Sequence, residues 1–364
     1  MTFSLPDPHA HISYTQTGPL GRMHFTREET LNALSYPMMK TLDQLTLAWE
    51  HDPSISCVLV TGQGARAFCA GGDLRSVHGA QRANDYAFLE ELFRREYTFN
   101  VRLRAFSKPY VSLLHGFTMG GGVGASVHGS HRVVCENSVL AMPETNIGYF
   151  PDVGAQAFLN ECPGAIGLYL GLTGLCITGS DALYIGLATH FCAKSAYSEI
   201  ENAFLKKTPR THSEVDALLQ PFVHPSPVSM LQQQQPLIDA HFAKNSLEEI
   251  FSSLEREAGS FAKETLEVLN KRCPLSLHTT FEYLSRARDL SFPEAMTLEF
   301  QLSQHFVRTK DFQEGIRAAV IDKDRRPAWQ HSSWRDVPRE LVENYFKAPV
   351  LGIKDLLASD KKNF

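Results

Sequence analysis

The chain has 364 residues, 43% hydrophobic and 21% charged, with a net charge of −5 at neutral pH. That length buries a sizeable core as one large domain or two modest ones, and the acidic balance argues against a nucleic-acid binder driven by bulk charge. No apolar run approaches membrane-spanning length, and seven scattered cysteines without a C-x-x-C pair read as reduced thiols rather than a disulfide frame or zinc site.

The opening stretch "MTFSLPDPHAHISYTQ" has neither the apolar core of a signal peptide nor an Arg-rich transit pattern, so a cytoplasmic location is expected. Residues 11–16 and 21–26 read as two strands around the turn "TGPL". A helix is predicted from Ser35 as N-cap, with Pro37 in its first turn and Met38, Leu42, Leu45 and Trp49 at helical spacing. The β-rich run 56–61 follows and leads into "FCAGGDL" (68–74). A second helix is predicted over about 85–106, then strands in "KPYVSLLHG", "HRVVCE" and "SVLAMPE". Strands alternating with helices over short connections are the grammar of an α/β core. Past about residue 195 the strand signal fades into amphipathic helices, which places a soft boundary near 200 between a core of residues 1–200 and a helical region of 201–364.

Two glycine-rich loops carry the chemistry, "FCAGGDL" and "MGGGVG" (119–124), each after an apolar strand. Tight turns are one reading. Dinucleotide binding is a second, since Gly120, Gly122 and Ala125 fit G-x-G-x-x-A. Against it, Phe117, Thr118 and Met119 stand between "HG" and the first glycine, where the fingerprint has its strand run straight in. The third reading is an oxyanion hole, one backbone N–H from each loop, aimed at a carbonyl oxygen that gains charge during reaction. Downstream, "AMPETNIGYFPDVGA" embeds Glu144 and Asp152 among Met142, Pro143, Ile147, Tyr149, Phe150 and Pro151. Carboxylates in apolar surroundings are uncommon unless paired or catalytic, and such a pair is driven to split its pKa values. The plainer alternative makes Asp152 a helix N-cap and Glu144 part of a surface turn.

Together, "FCAGGDL", "HGFTMGGGVG" and "MPETNIGYFPDVG" resemble the crotonase, or enoyl-CoA hydratase/isomerase, superfamily. With "DFQEGIRAAVIDKDRRPAW" they are similar, more narrowly, to its branch of 3-hydroxyisobutyryl-CoA hydrolases, thioesterases of valine breakdown. The resemblance covers most of the chain. It implies an α/β fold, the crotonase/ClpP-like spiral of ββα turns, with a helical C-terminal region that covers the site or supplies subunit contacts. It further implies an acyl-CoA small-molecule substrate, no separate cofactor (coenzyme A being part of the substrate), no metal, no nucleic acid and no membrane; a homo-oligomer is compatible with it.

Carried over residue by residue, the resemblance makes the N–H groups of Gly72 and Gly121 the oxyanion hole, and Glu144 and Asp152 the catalytic carboxylates. Glu96 becomes a substrate contact alongside Gly121, Glu144 and Asp152. Ala70, Asp73, Arg66 and Arg75 fall where coenzyme A is bound, although solvated surface charge explains the two arginines equally well. Hydratases of the superfamily carry a glutamate directly after "GGG-x"; here that position is Gly124, which weighs against hydration. Two routes for Glu144 stay open: attack on the carbonyl to form an anhydride, or activation of a water. His115 and His128, beside the second loop, read as packed histidines. The rival readings are another coenzyme A chemistry on the same scaffold and, from a different class, a non-catalytic ribosome-associated relative.

Overall fold

The computed structural model describes residues 11–347, so the first ten residues of the opening stretch lie outside it. Within it the chain forms two compact units, both discontinuous in sequence. One comprises residues 11–73, 98–141 and 176–232, the other 74–97, 142–175 and 233–347. The units therefore interleave along the chain, whereas the sequence suggests a single step near residue 200.

The first unit contains the strands. β1 (Ile12–Thr17) and β2 (Leu20–Phe25) form an antiparallel hairpin in which Ile12 faces Phe25. They are followed by β3 (Cys57–Gly62), β4 (Ala67–Cys69), β5 (Tyr110–Leu113), β6 (Phe117–Met119), β7 (His131–Val134), β8 (Val139–Ala141), β9 (Ile177–Thr178) and β10 (His190–Phe191). A six-stranded sheet runs β1-β2-β3-β5-β7-β10 and a four-stranded sheet β4-β6-β8-β9. Each pair β3/β4, β5/β6 and β7/β8 gives its first strand to the larger sheet and its second to the smaller. With helices returning the chain after β4 and β6, this is the spiral of ββα turns that the sequence led us to expect.

Two periodicities meet in the core of this unit. Cys57 and Leu59, Val111 and Leu113, Val133 and Cys135 alternate along β3, β5 and β7 and its C-terminal edge, giving one buried face. Ile200 and Phe204 from the helix Tyr197–Lys207, with Val215, Leu218 and Leu219 from the helix His212–Leu219, belong to the same cluster. The helix Tyr36–His51 begins after Ser35 with Pro37 in its first turn, as its sequence predicts.

β4 and β6 are among the elements that sequence reading misses, with the two-residue β9 and β10. Three residues are too few for an alternating pattern to register. Phe117, Thr118 and Met119, taken above as an interruption before the first glycine, are themselves a strand running directly into Gly120. That objection to a dinucleotide loop therefore falls.

Among the described residues, the second unit is helical. "LEEIFSSLEREAGSFAKETLEVLNKR" is two helices, Leu247–Arg256 and Ser260–Leu269. The helix Phe292–Phe306 opens with a capping box between Ser291 and Glu294. The short 3₁₀ turn Glu144–Ile147 lies against the helix Lys310–Ile316 at van der Waals distance. A Cβ on Gly148 would lie 2.4 Å from the Asp311 carbonyl oxygen, and one on Gly315 only 2.2 Å from the Ile147 carbonyl group. Two motifs more than 160 residues apart are thus halves of one backbone-to-backbone contact, which gives their co-occurrence a physical cause.

Alanine for glycine inside a helix ordinarily stabilises by about 1 kcal/mol. At Gly315 the clash with immovable backbone reverses that sign. Gly315→Ala is expected to lower unfolding free energy by about 2 kcal/mol or more, read as a reduced urea midpoint.

Candidate active site

The glycine loops belong to the strand-bearing unit, and their meeting follows from strand pairing. β4 and β6 are parallel neighbours, Ala67 opposite Phe117 and Cys69 opposite Thr118, so both loops leave from the same ends of the two strands. Carboxyl ends of parallel strands are where α/β folds place their ligands. Leu34 N–H donates to the Gly71 carbonyl at 2.8 Å and Asp73 N–H to the Leu34 carbonyl at 2.9 Å. In that parallel bridge the intervening Gly72 N–H points the other way, and nothing lies within 4 Å of where a Cβ on Gly72 would be. Gly121 opens the helix Gly121–Val127, where the first N–H groups have no intrahelical acceptor. Gly122 is required by contact rather than conformation: its Cβ would meet the Cys69 carbonyl oxygen at 2.2 Å. The two loops thus bring together the Gly72 N–H, turned away from its bridge, and the first N–H of a helix, without an intrahelical acceptor.

The expected coenzyme A residues divide. Ala70 spends its N–H on the Leu31 carbonyl at 3.0 Å. Asp73 is ion-paired at 2.9 Å with Arg27, a cation that no local pattern places beside this loop. Arg66 is exposed, with a long 3.5 Å contact to the Glu28 carbonyl. Arg75, in the other unit, donates to the Val320 carbonyl at 3.0 Å. His115 is buried and shares a 2.9 Å hydrogen bond with the Gly64 carbonyl, the packed role expected of it.

The carboxylates belong to the helical unit. Glu96, Glu144 and Asp152 are all buried, and a fourth acid joins them: Glu299, with no exposed surface, on the helix Phe292–Phe306. Glu144 is therefore no surface turn, and the helix Ala155–Leu159 is capped by Gly154 rather than Asp152. The Tyr97 hydroxyl donates to Asp152 Oδ2 at 2.7 Å. Having one proton, Tyr97 then accepts at 3.1 Å from Tyr149. Glu299 accepts the Gly154 N–H at 2.9 and 3.0 Å and the hydroxyl of Tyr283. Among the described residues Glu144 Oε2 is buried without a partner.

Aromatic rings set the polarity of these surroundings. Tyr149 stacks on Phe312 with centroids 4.6 Å apart, and Phe93, Phe150 and Phe306 also pack around it. Burial dominates the titration of every acid in the group. It pushes Glu96 up to about 8, with the Asp152 charge adding to it. It raises Glu144 well above the usual carboxylate range, again with Asp152 as second cause. Asp152 rises to about 7, its burial partly offset by the Tyr97 hydroxyl and its own backbone N–H. Glu299 is likewise held far above its ordinary value. Glu96 and Asp152 thus exchange protons near neutral pH, which general acid–base chemistry requires. Tyr97, Tyr283 and Glu299 escaped sequence reading because each sits on a helix whose pattern looks like ordinary amphipathic packing; "PEAMTLEFQ" offers no local sign that Glu299 faces inward.

Among the described residues no group of His, Cys, Asp or Glu side chains is assembled to hold a metal ion, and no helix is long and apolar enough to cross a membrane.

Comparison with known proteins accords with this arrangement. The family model described as enoyl-CoA hydratase/isomerase matches residues 20–346. The chain is 39% identical to the mitochondrial 3-hydroxyisobutyryl-CoA hydrolase of Gallus gallus, covering 96% of this chain and 91% of that protein. It is 37% identical to the human protein of the same name, with the same coverage. Among solved structures, one titled an enoyl-CoA hydratase from Rhodobacter sphaeroides has a TM-score of 0.86 at 37% identity, covering 93% of this chain and 98% of that one. One titled a carnitinyl-CoA dehydratase from Mycobacterium thermoresistibile has a TM-score of 0.87 at 33% identity, with 93% and 97% covered. The two hydrolase relatives are named as mitochondrial, so the cytoplasmic location expected from the opening stretch is not supported.

The buried acids carry a testable linkage. Burial holds the folded pKa of Asp152 at about 7 against 3.8 for an ordinary aspartate, so the folded state binds the extra proton between those pH values and loses stability as pH rises through them. Asp152→Asn removes that loss. Its unfolding free energy relative to the native protein is expected to grow from about pH 4 to pH 7 and then level off, measured by urea titration across that range.

Proposed function

The chain belongs to the enoyl-CoA hydratase/isomerase family, and we propose that within it the protein is a coenzyme A thioester hydrolase acting on 3-hydroxyisobutyryl-CoA. Support comes from relatives of that name along almost the whole chain. The observation that carries the reading is buried Glu144, its Oε2 without a partner among the described residues and its proton affinity raised by burial beside Asp152.

The N–H groups of Gly72 and Gly121 receive the thioester carbonyl oxygen and stabilise the charge it acquires. Glu144 brings oxygen to the carbonyl carbon, by taking a proton from water or by attacking directly to give an anhydride that water then cleaves. As the C–O bond forms and the C–S bond breaks, the electron pair leaves on sulfur. Asp152 orients the 3-hydroxyl or the water and supplies the proton that completes free coenzyme A. The two acids titrate as a coupled pair, so the protonation state of the pair governs the rate. Glu96 is assigned to substrate contact, and Arg27 joins Arg66 and Arg75 as a cation for the coenzyme A phosphates.

The solved structures with hydratase and dehydratase titles favour a second reading, addition of water to a double bond. That chemistry needs a further proton-handling side chain on the second loop, and position 124 is glycine, its carbonyl held by Asn100 Nδ2 at 3.1 Å.

Thiol release from 3-hydroxyisobutyryl-CoA, followed with a thiol-reactive dye, tests the proposal. Glu144→Gln is expected to lower kcat about a hundred- to ten-thousand-fold, and native kcat/KM to fall as pH rises through about 7, where Asp152 loses the proton it donates. Single turnover in ¹⁸O-water separates the routes, since label enters Glu144 only if an anhydride forms there. Well-folded native protein that releases no thiol but hydrates crotonyl-CoA would overturn the hydrolase reading in favour of the second.

A further inference from the structure

Glu299 has no exposed surface, and no ion pair among the described residues involves it. An acid left inside a protein without a cation is costly, so its hydrogen bonds show what it is kept for. They converge on one turn. Both oxygens lie within 3.0 Å of the Gly154 N–H, the Ala155 N–H is a further donor, and the Tyr283 hydroxyl donates to Oε1. Tyr283 in turn accepts the Gln156 N–H at 3.3 Å. The Gly154 and Gln156 N–H groups at the start of the helix Ala155–Leu159 are thereby satisfied by two side chains from distant helices.

The turn they hold is strained. Val153 has φ +54°, a left-handed conformation that is a genuine outlier for a β-branched residue. Such strain persists only where the surroundings over-determine it. Asp152 immediately precedes Val153, and its carbonyl accepts the Ala155 N–H at 3.0 Å. Its side chain is held by the Tyr97 hydroxyl at 2.7 Å. If Val153 relaxed to an ordinary conformation, the backbone at Asp152 would rotate and the carboxyl would leave Tyr97.

We propose that Glu299, with Tyr283 as its support, is a positioning residue that holds the strained Asp152–Val153–Gly154 turn and so aims the Asp152 carboxyl. The role rests on the reading of Asp152 as part of a thioester-hydrolysing site. Glu299 acts through the backbone of that turn and touches no substrate.

The test uses Glu299→Ala, Glu299→Gln and Val153→Gly in the full chain. Glu299→Ala is expected to lower kcat at least tenfold with KM within about threefold, and to shift the apparent pKa of the pH–rate profile. Glycine adopts a positive φ without strain, so Val153→Gly added to Glu299→Ala should recover at least half of the lost activity on a logarithmic scale. A residue serving only general stability would not be rescued by removing a side chain from the neighbouring core. If Glu299→Ala does not fold, Glu299→Gln with and without Val153→Gly is compared in the same way. A second readout is independent of catalysis: ¹³C-carboxyl titration of Asp152 by NMR should show a changed pKa in the Glu299 variant and a return toward native in the double variant. An unmoved Asp152 titration in a folded Glu299 variant overturns the proposal. Absent thiol release by the native protein, with Asp152 still moving in the titration, removes the hydrolase reading and leaves the positioning intact.

Discussion

Four carboxyl groups, Glu96, Glu144, Asp152 and Glu299, are buried in the helical unit, and no ion pair among the described residues involves any of them. Water would solvate such groups far better than aromatic rings do. What makes their burial tolerable is partial protonation, since desolvation drives each pKa upward, and hydrogen bonding from Tyr97, Tyr283 and the N–H groups that open the helix Ala155–Leu159. The arrangement is expensive for folding and apt for chemistry: Glu96 and Asp152 are left with proton affinities near neutrality. Much of the unit's hydrophobic packing, from Phe93 to Phe312, serves to hold that environment dry.

The strand-bearing unit meets the opposite demand. Its loops offer neutral N–H donors and keep side chains away, so their glycines do distinct things. Gly122 lets the helix start press on the Cys69 carbonyl, whereas Gly72 leaves its surroundings open. The parallel pairing of β4 with β6 is what brings the loops side by side, and it depends on strands three residues long.

The long-range motif pair of this chain also acquires a mechanism. Gly148 and Gly315 each permit an approach that no larger residue could make, one toward Asp311 and the other toward Ile147. "PETNIG" and "DFQEGI" are therefore constrained together: the loop that carries Glu144 can take its shape only if the later helix presents bare backbone to it.

The sequence by itself determined an α/β core of alternating strands and helices, because a short apolar run such as "CVLVTG" and a period-3.6 pattern such as "MKTLDQLTLAW" are local signals; the spiral came from the family resemblance. It also singled out both glycine loops, Glu144 and Asp152, since each stands in a short window of unusual composition. Tertiary structure alone decided the rest. Glu299, Tyr97 and Arg27 occupy windows that read as ordinary helix or loop, and become significant only through partners 55 to 145 residues away or on the facing loop. The interleaved units likewise follow from which segments pack together rather than from any change in composition. Hydrophobic periodicity is written into neighbouring residues; the desolvation of a carboxyl group, and the strain held at Val153, exist only once distant segments have closed around them.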